Sequence, residues 1–298
     1  MRMELTEARL PDDVDEIVDF LVTRTPKQDR VILRSVLNPK AVRSRRVLVA
    51  REFGGGLAGV GIAQAAGDLP AGALSVMVST RADHGGRGLG SRLYTAVLAD
   101  LKDEVIQLVT CVLDGDQTSL DVARHWGFTR LHRSITISCA LVDAKPPEPP
   151  SGHVTFEVCD DLVFDDDEAV EAMLRASQTN PEAEQGLVLT LSGLREAPTR
   201  GQRPVAVLTR VERCPAAISF AVADGDQMHV MYTGVGPGVR GRALGRATKE
   251  FLHAHARDLG IRMALTDNEE SNAGIRHVND RLGYTPHSAW HWLIRTRP

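Results

Sequence analysis

VRGRALGR, residues 239–246, sets three arginines around a turn of small residues. The apolar segment HVMYTGV (229–235) runs into it, and a helical pattern over 242–258 leaves it. Like charges this close repel, so an anion is expected among Arg240, Arg242 and Arg246. The first turn of a helix leaves backbone N–H groups without intrahelical partners, and the helix dipole is positive there. Small residues let a ligand approach that backbone, and phosphate is the natural ligand. The alternative is a solvated, arginine-rich helix start.

The chain says this twice. HGGRGLGSR (84–92) repeats the turn, with Gly90 and Gly245 155 residues apart. HWGFTR (125–130) matches RLGYTP (281–286), with Gly127 and Gly283 156 residues apart. Two matches at nearly one offset in 298 residues imply two copies of one fold. AKPPEPPSG (144–152) carries four prolines and reads as a stiff linker. The expected domains are therefore 1–143 and 153–298. Each copy reads as strand, two helices, three strands, the turn, a helix, a strand, a short helix and a last strand. In the first copy the three strands are RRVLVARE, GLAGVGIAQAA and ALSVMVST. In the second they are PVAVLTRV, AAISFAVA and MHVMYTGV. The fold class is α/β (α+β), with a mixed, mostly antiparallel sheet flanked by helices in each copy.

Hydrophobic residues make up 43% and charged residues 25%, a composition with enough apolar side chains for a core. The net charge of −4 argues against a general nucleic-acid binder. Cys111, Cys139, Cys159 and Cys214 are far apart, with no metal-ligand spacing, so free thiols, no metal and a cytoplasmic setting are expected. The start, MRMELTEARLPDD, lacks the apolar segment of a signal peptide, and no apolar run suggests a membrane span. The turns are neither a Walker loop, which needs Lys-Ser/Thr, nor a dinucleotide fingerprint, which follows a first strand.

The ordered pair of turns resembles the GCN5-related N-acetyltransferase (GNAT) superfamily, whose Arg/Gln-x-x-Gly/Ala-x-Gly/Ala turn holds the pyrophosphate of acetyl-CoA. Arg240, Gly241, Arg242, Ala243, Leu244 and Gly245 fit it. Gly85, Gly86, Arg87, Gly88, Leu89, Gly90 and Ser91 fit from Gly88 onward, with Gly85 where the leading Arg or Gln belongs. The downstream Asn and Gly-Phe/Tyr appear as Asn272 and Gly283-Tyr284, and in copy one as Ser119 and Gly127-Phe128. The resemblance implies a tandem protein in which acetyl-CoA lies between splayed fourth and fifth strands. Its pantetheine would then run along Tyr232, Thr233 and Val235 in copy two, or Val78 and Thr80 in copy one.

It also implies direct attack by the amine of a small molecule or an amino terminus. Many members place a Tyr acid four residues before Gly-Phe/Tyr; here Asn279 and Ala123 stand there. The expectation is that the second copy is catalytic and the first either binds CoA without chemistry or is a degenerate copy that only packs. Thr266 and Asn268 would position the amine, Asn279 would donate to the sulfur, and Asp267, Glu269 or Glu270 would be a base or a solvated loop. Two other readings stay open: a non-catalytic acyl-CoA-binding regulator, and a mycothiol-synthase-like tandem enzyme. The protein is expected as a monomer or homodimer.

Overall fold

A computed structural model describes residues 3–37, 42–66, 72–99, 105–150, 153–178, 188–268 and 273–296. The chain forms two compact units. One comprises the residues up to Ser134 together with those from Ser288 onward; the other is Ile135–His287. This division differs from the expected domains of 1–143 and 153–298, and strand pairing is the reason.

In the first unit the sheet order is β1 (Glu4–Glu7), β2 (Val42–Arg51), β3 (Leu57–Ala66), β4 (Ala73–Thr80), β5 (Gln107–Leu113), then the chain's last strand, β12 (Thr285–Thr296). β12 enters by Trp290–Thr296 pairing antiparallel with Leu113–Gln107. In the second unit the order is β7 (Val154–Val158), β8 (Arg203–Val211), β9 (Cys214–Asp224), β10 (Gln227–Val235), β11 (Met263–Asn268), then β6 (Thr129–Ala140). β6 enters by Ile135–Ala140 pairing with Asn268–Met263. So the strand that closes each copy in sequence does not close that copy's sheet. Ala144, at the head of the proline-rich segment, belongs to the second unit, where its carbonyl accepts from Arg257 Nη1.

Two layers of helix enclose the first unit's sheet. On one face α1 (Val14–Arg24) and α2 (Arg30–Val36) bury Ile17, Val18, Leu21 and Leu33 against Val47, Val49, Val60 and Ile62. On the other face α3 (Leu89–Val97) and α4 (Gln117–His125) pack against Leu48, Ala50, Leu74 and Val76. This is the period-2 alternation of strands buried on both faces. Gly59 and Gly61 bring α3 down onto β3: a Cβ at Gly61 would lie 2.6 Å from Val97 Cγ1.

The second unit repeats the pattern with α5 (Asp167–Ser177), α6 (Leu191–Glu196), α7 (Leu244–Asp258) and α8 (Ala273–Arg281). Its core joins Val205, Val207, Ala221 and Met228 to Leu252 and Ala256 of α7. No helix among the described residues is long and apolar enough to cross a membrane.

Candidate functional site

In the first unit, β4 and β5 are parallel and pair only through Ala73–Ser75 and Gln107–Val109. From Val76 onward β4 keeps its bonds to β3 but has no β5 partner. The strands therefore open a wedge with one unpaired backbone edge. A cleft of about 740 Å³ fills it, lined by Val76–Thr80, Gly85, Gly86, Gly88–Ser91, Thr110–Leu113, the start of α4 and Trp290. Val78 and Thr80, expected along a cofactor, lie on this wall.

The glycine turn shapes one end. Gly86 has φ +69° and Gly88 φ +78°, the left-handed region where a Cβ is strained. Gly88 begins α3 with no side-chain cap. Elsewhere Asp29, Asp116, Asp166 and Thr190 cap α2, α4, α5 and α6 with side-chain oxygens. The first N–H groups of α3 are thus free of a side-chain competitor. Arg87, exposed beside them, has no hydrogen bond or ion pair with the described residues. The site can take a diphosphate at the turn and an extended amide-bearing arm along β4.

A charged cluster braces the approach. Arg81 bonds both oxygens of Glu52, at 3.0 and 2.7 Å, and both of Asp83, at 2.9 and 2.7 Å. His84 Nε2 lies 3.0 Å from Glu52 Oε1. Hydrogen bonds from His84 and Arg81 hold Glu52 below the usual carboxylate range, and Arg81 holds Asp83 down at about 2. Ligand atoms of Glu52, Asp83 and His84 lie within 4.8 Å of one another, but the Arg81 guanidinium already supplies the cation between the carboxylates.

The other wall is largely apolar. Trp126 stacks on Tyr94 with centroids 4.1 Å apart, and Arg295 Nη1 donates to the Tyr94 hydroxyl at 2.9 Å. Ala123, at the position of the expected acid, is buried and lines the cleft. Burial pushes the Cys111 thiol up to about 11, so it is not a thiolate at neutral pH. The Ser119 hydroxyl donates a hydrogen bond to Asp116 Oδ2, at 2.7 Å.

The second unit has the same wedge with different contents. β10 and β11 pair only through Gln227–His229 and Met263–Leu265. Thr266 sits at the apex, its Oγ1 donating to the freed Val230 carbonyl at 3.0 Å. A bulge in β10 between Val230 and Tyr232 redirects the strand. The Tyr232 ring then lies across Gly234, where a Cβ would run into its hydroxyl and Ser177 Oγ. That hydroxyl and Ser177 Oγ are 2.6 Å apart. Thr233 Oγ1 faces the other way, 2.9 Å from Ser219 Oγ.

The arginine turn is partly spent. Arg240 folds back, donating to the carbonyls of Val235 and Ser177, both at 3.2 Å. Arg246 pairs with Glu250 at 3.2 Å. Arg242 alone of the three has no partner among the described residues. Gly241 has φ +76°, and Ala243 starts α7 uncapped at φ +58°, while Leu244 is buried and Gly245 abuts Val235.

Asn279, expected to donate to the sulfur, is buried in α8. It is fully enclosed, and its Oδ1 accepts from Lys249 Nζ at 2.7 Å. Lys249 lies 4.6 Å from the centroid of Tyr284, whose hydroxyl is 2.8 Å from His253 Nε2. Burial lowers the Lys249 pKa to about 7 and that of His253 to about 3. Sequence reasoning missed this cluster; the signal was a lysine on the apolar face of a helix. Asp267 accepts from Thr136 at 2.8 Å. Asn268 ends β11 opposite Ile135. Asn272, Glu269 and Glu270 lie outside the described residues.

No protein-family model and no curated protein sequence matches the chain. Solved structures do. A tandem GNAT protein from the clavulanic acid biosynthesis pathway, solved without AcCoA, superposes with a TM-score of 0.75 at 19% identity, covering 100% of this chain and 99% of that one. A GCN5-related N-acetyltransferase from Sphaerobacter thermophilus gives 0.67 at 14% identity over 99% and 96%. One from Kribbella flavida gives 0.57 at 17% over 96% and 95%. Two wedged sheets, each followed by an uncapped turn and helix, together with these superpositions, give the chain the fold of a tandem GCN5-related N-acetyltransferase.

Proposed function

We propose that the protein is an acetyl-CoA-dependent N-acetyltransferase acting on the amine of a small molecule or an amino terminus, and that transfer takes place in the first unit. One observation carries this reading. The first unit combines an open wedge, an unpaired β4 edge and an uncapped helix start beside Arg87, which has no partner among the described residues. Those residues fit an acyl-CoA: the turn receives the diphosphate, and Val78–Thr80 offer backbone to the pantetheine amides. When bound, acetyl-CoA supplies the thioester. The chain's own part is to hold an incoming amine in line with the wedge and exclude water with Trp126, Phe128 and Trp290. Direct attack suits a cleft whose one thiol, Cys111, stays protonated.

This assigns the second unit a lesser role than its sequence suggests. Tyr232 and Arg240 occupy with their own bonds the stretch that a pantetheine arm needs.

Calorimetric titration of acetyl-CoA into wild type and the Arg87→Ala and Arg240→Ala variants tests it. One site, weakened by Arg87→Ala and kept in Arg240→Ala, is the expected result. A site lost only with Arg240→Ala would move the chemistry to the second unit. No binding to wild type would sink the cofactor assignment. Binding without acetyl transfer to any amine would favour a regulatory acyl-CoA binder.

A further inference from the structure

We propose that the acceptor amine carries an anionic group, a carboxylate in the simplest case, and that Arg24 receives it on the α1 face of the first unit's cleft. The inference deepens the reading above and rests on it.

The wedge passes through the sheet, because it lies between two strands rather than over them. One mouth therefore opens among α3 and the glycine turn, the other beneath α1. β4 side chains show the two sides by alternation: Leu74 and Val76 pack with the α3 core, whereas Met77 packs with the α1 core. Leu21, Arg24, Thr25 and Gln28, from the end of α1 and the loop behind it, line the second mouth. If the diphosphate occupies the turn, the reacting end points through the wedge toward this mouth. An acceptor has to approach from here.

The charges lining the cleft are few, and all but one are spent. Arg81 is held by Glu52 and Asp83, and His84 by Glu52. Asp116 accepts from the Ser119 backbone N–H and hydroxyl at the start of α4. Arg24 alone has no hydrogen bond or ion pair with the described residues. The acceptor mouth thus presents one uncompensated guanidinium and no free carboxylate among the described residues. A cationic acceptor without an anionic group would meet only repulsion there. A carboxylate would find a planar fork of donors.

The second unit supplies the contrast. Its position matching Arg24 is Ser177, and its position matching Met77 is Tyr232, placed by the spacing of each from the equivalent helix and turn. There the two side chains bond to each other, at 2.6 Å, across the equivalent place. In the first unit Met77 has no hydroxyl to offer, and Arg24 has no partner among the described residues.

The test uses the full-length protein, acetyl-CoA and matched acceptor pairs: amino acids against their carboxamides, and phosphoethanolamine against ethanolamine. The anionic member of a pair is expected to have the higher kcat/KM. Arg24→Gln is expected to lower kcat/KM for that member on the order of 10- to 100-fold, through KM, and to raise it for the cationic member that lacks the anion, since the repelling guanidinium is gone. Arg24→Lys should recover part of the loss. Preference within only the phosphorylated pair would identify phosphate as the anion. No preference within either pair, with acetyl-CoA bound and transferred, overturns the inference alone. An equal loss for both members in Arg24→Gln overturns it too. Failure of wild type to bind acetyl-CoA removes the underlying reading and the inference with it.

Discussion

The hydroxyl of Tyr232 lies 2.6 Å from Ser177 Oγ, and this bond ties β10 to the end of α5 in the second unit. It depends on Gly234, over which the Tyr232 ring is laid. Gly234→Ala places a methyl against both partners, so the ring has to lift. The expected cost is about 1–3 kcal/mol, the usual range for overpacking a filled site. A lowered urea midpoint checks it, and an unchanged midpoint would mean that the ring is not held there.

Lys249 is enclosed with Asn279 and Tyr284, and burial lowers its pKa from 10.5 to about 7. The unfolded chain keeps that proton up to its ordinary pKa, while the folded chain releases it near 7. Between those values unfolding takes up a proton, so stability rises with pH and is lost as pH falls toward 7. The gain from pH 7 to pH 9 is about 2 kcal/mol. Lys249→Met should flatten this rise. Denaturant midpoints of both proteins at pH 7 and pH 9 decide it, and parallel curves would mean that another group titrates.

Gly88 and Ala243 hold the same left-handed position at the start of α3 and α7, at φ +78° and +58°. Gly88→Ala imposes strain of about 1 kcal/mol and adds a methyl beside the uncapped N–H groups. The strain lowers stability, while the methyl obstructs the N–H groups, so acetyl-CoA affinity should fall if the first unit binds it, by tenfold for about 1.4 kcal/mol of lost contact. Ala243→Gly should change stability by less than about 1 kcal/mol, because relief of strain is offset by a freer unfolded chain. Calorimetry and thermal melts separate the two effects.

Gly61→Ala brings a Cβ to 2.6 Å from Val97 Cγ1, in the seam between β3 and α3. The helix has to rise from the sheet, at about 1–3 kcal/mol. Because α3 carries the glycine turn, acetyl-CoA binding should weaken along with the thermal midpoint. Weakened stability with full binding would show that the turn is held independently of α3.

The amino-acid order alone determined much of this protein. The two turns, their spacing and the alternating apolar runs are local signals, and they gave the strands, the helices and the duplication. The glycine pattern located the turns because left-handed backbone leaves a mark in composition at Gly86 and Gly88. Three matters only the tertiary structure decided. Which strand closes which sheet depends on pairing between distant segments, such as Trp290–Thr296 with β5, and a repeat in sequence is blind to it. Whether an arginine is free depends on its neighbours: Arg240 fits the motif better than anything in the first copy, yet it bonds the Val235 and Ser177 carbonyls. Whether Asn279 meets solvent or a buried lysine is settled by helix packing, for Lys249 stands 30 residues away in sequence and 2.7 Å away in space. Local periodicity encodes which face of an element is buried; it does not encode which partner is found there.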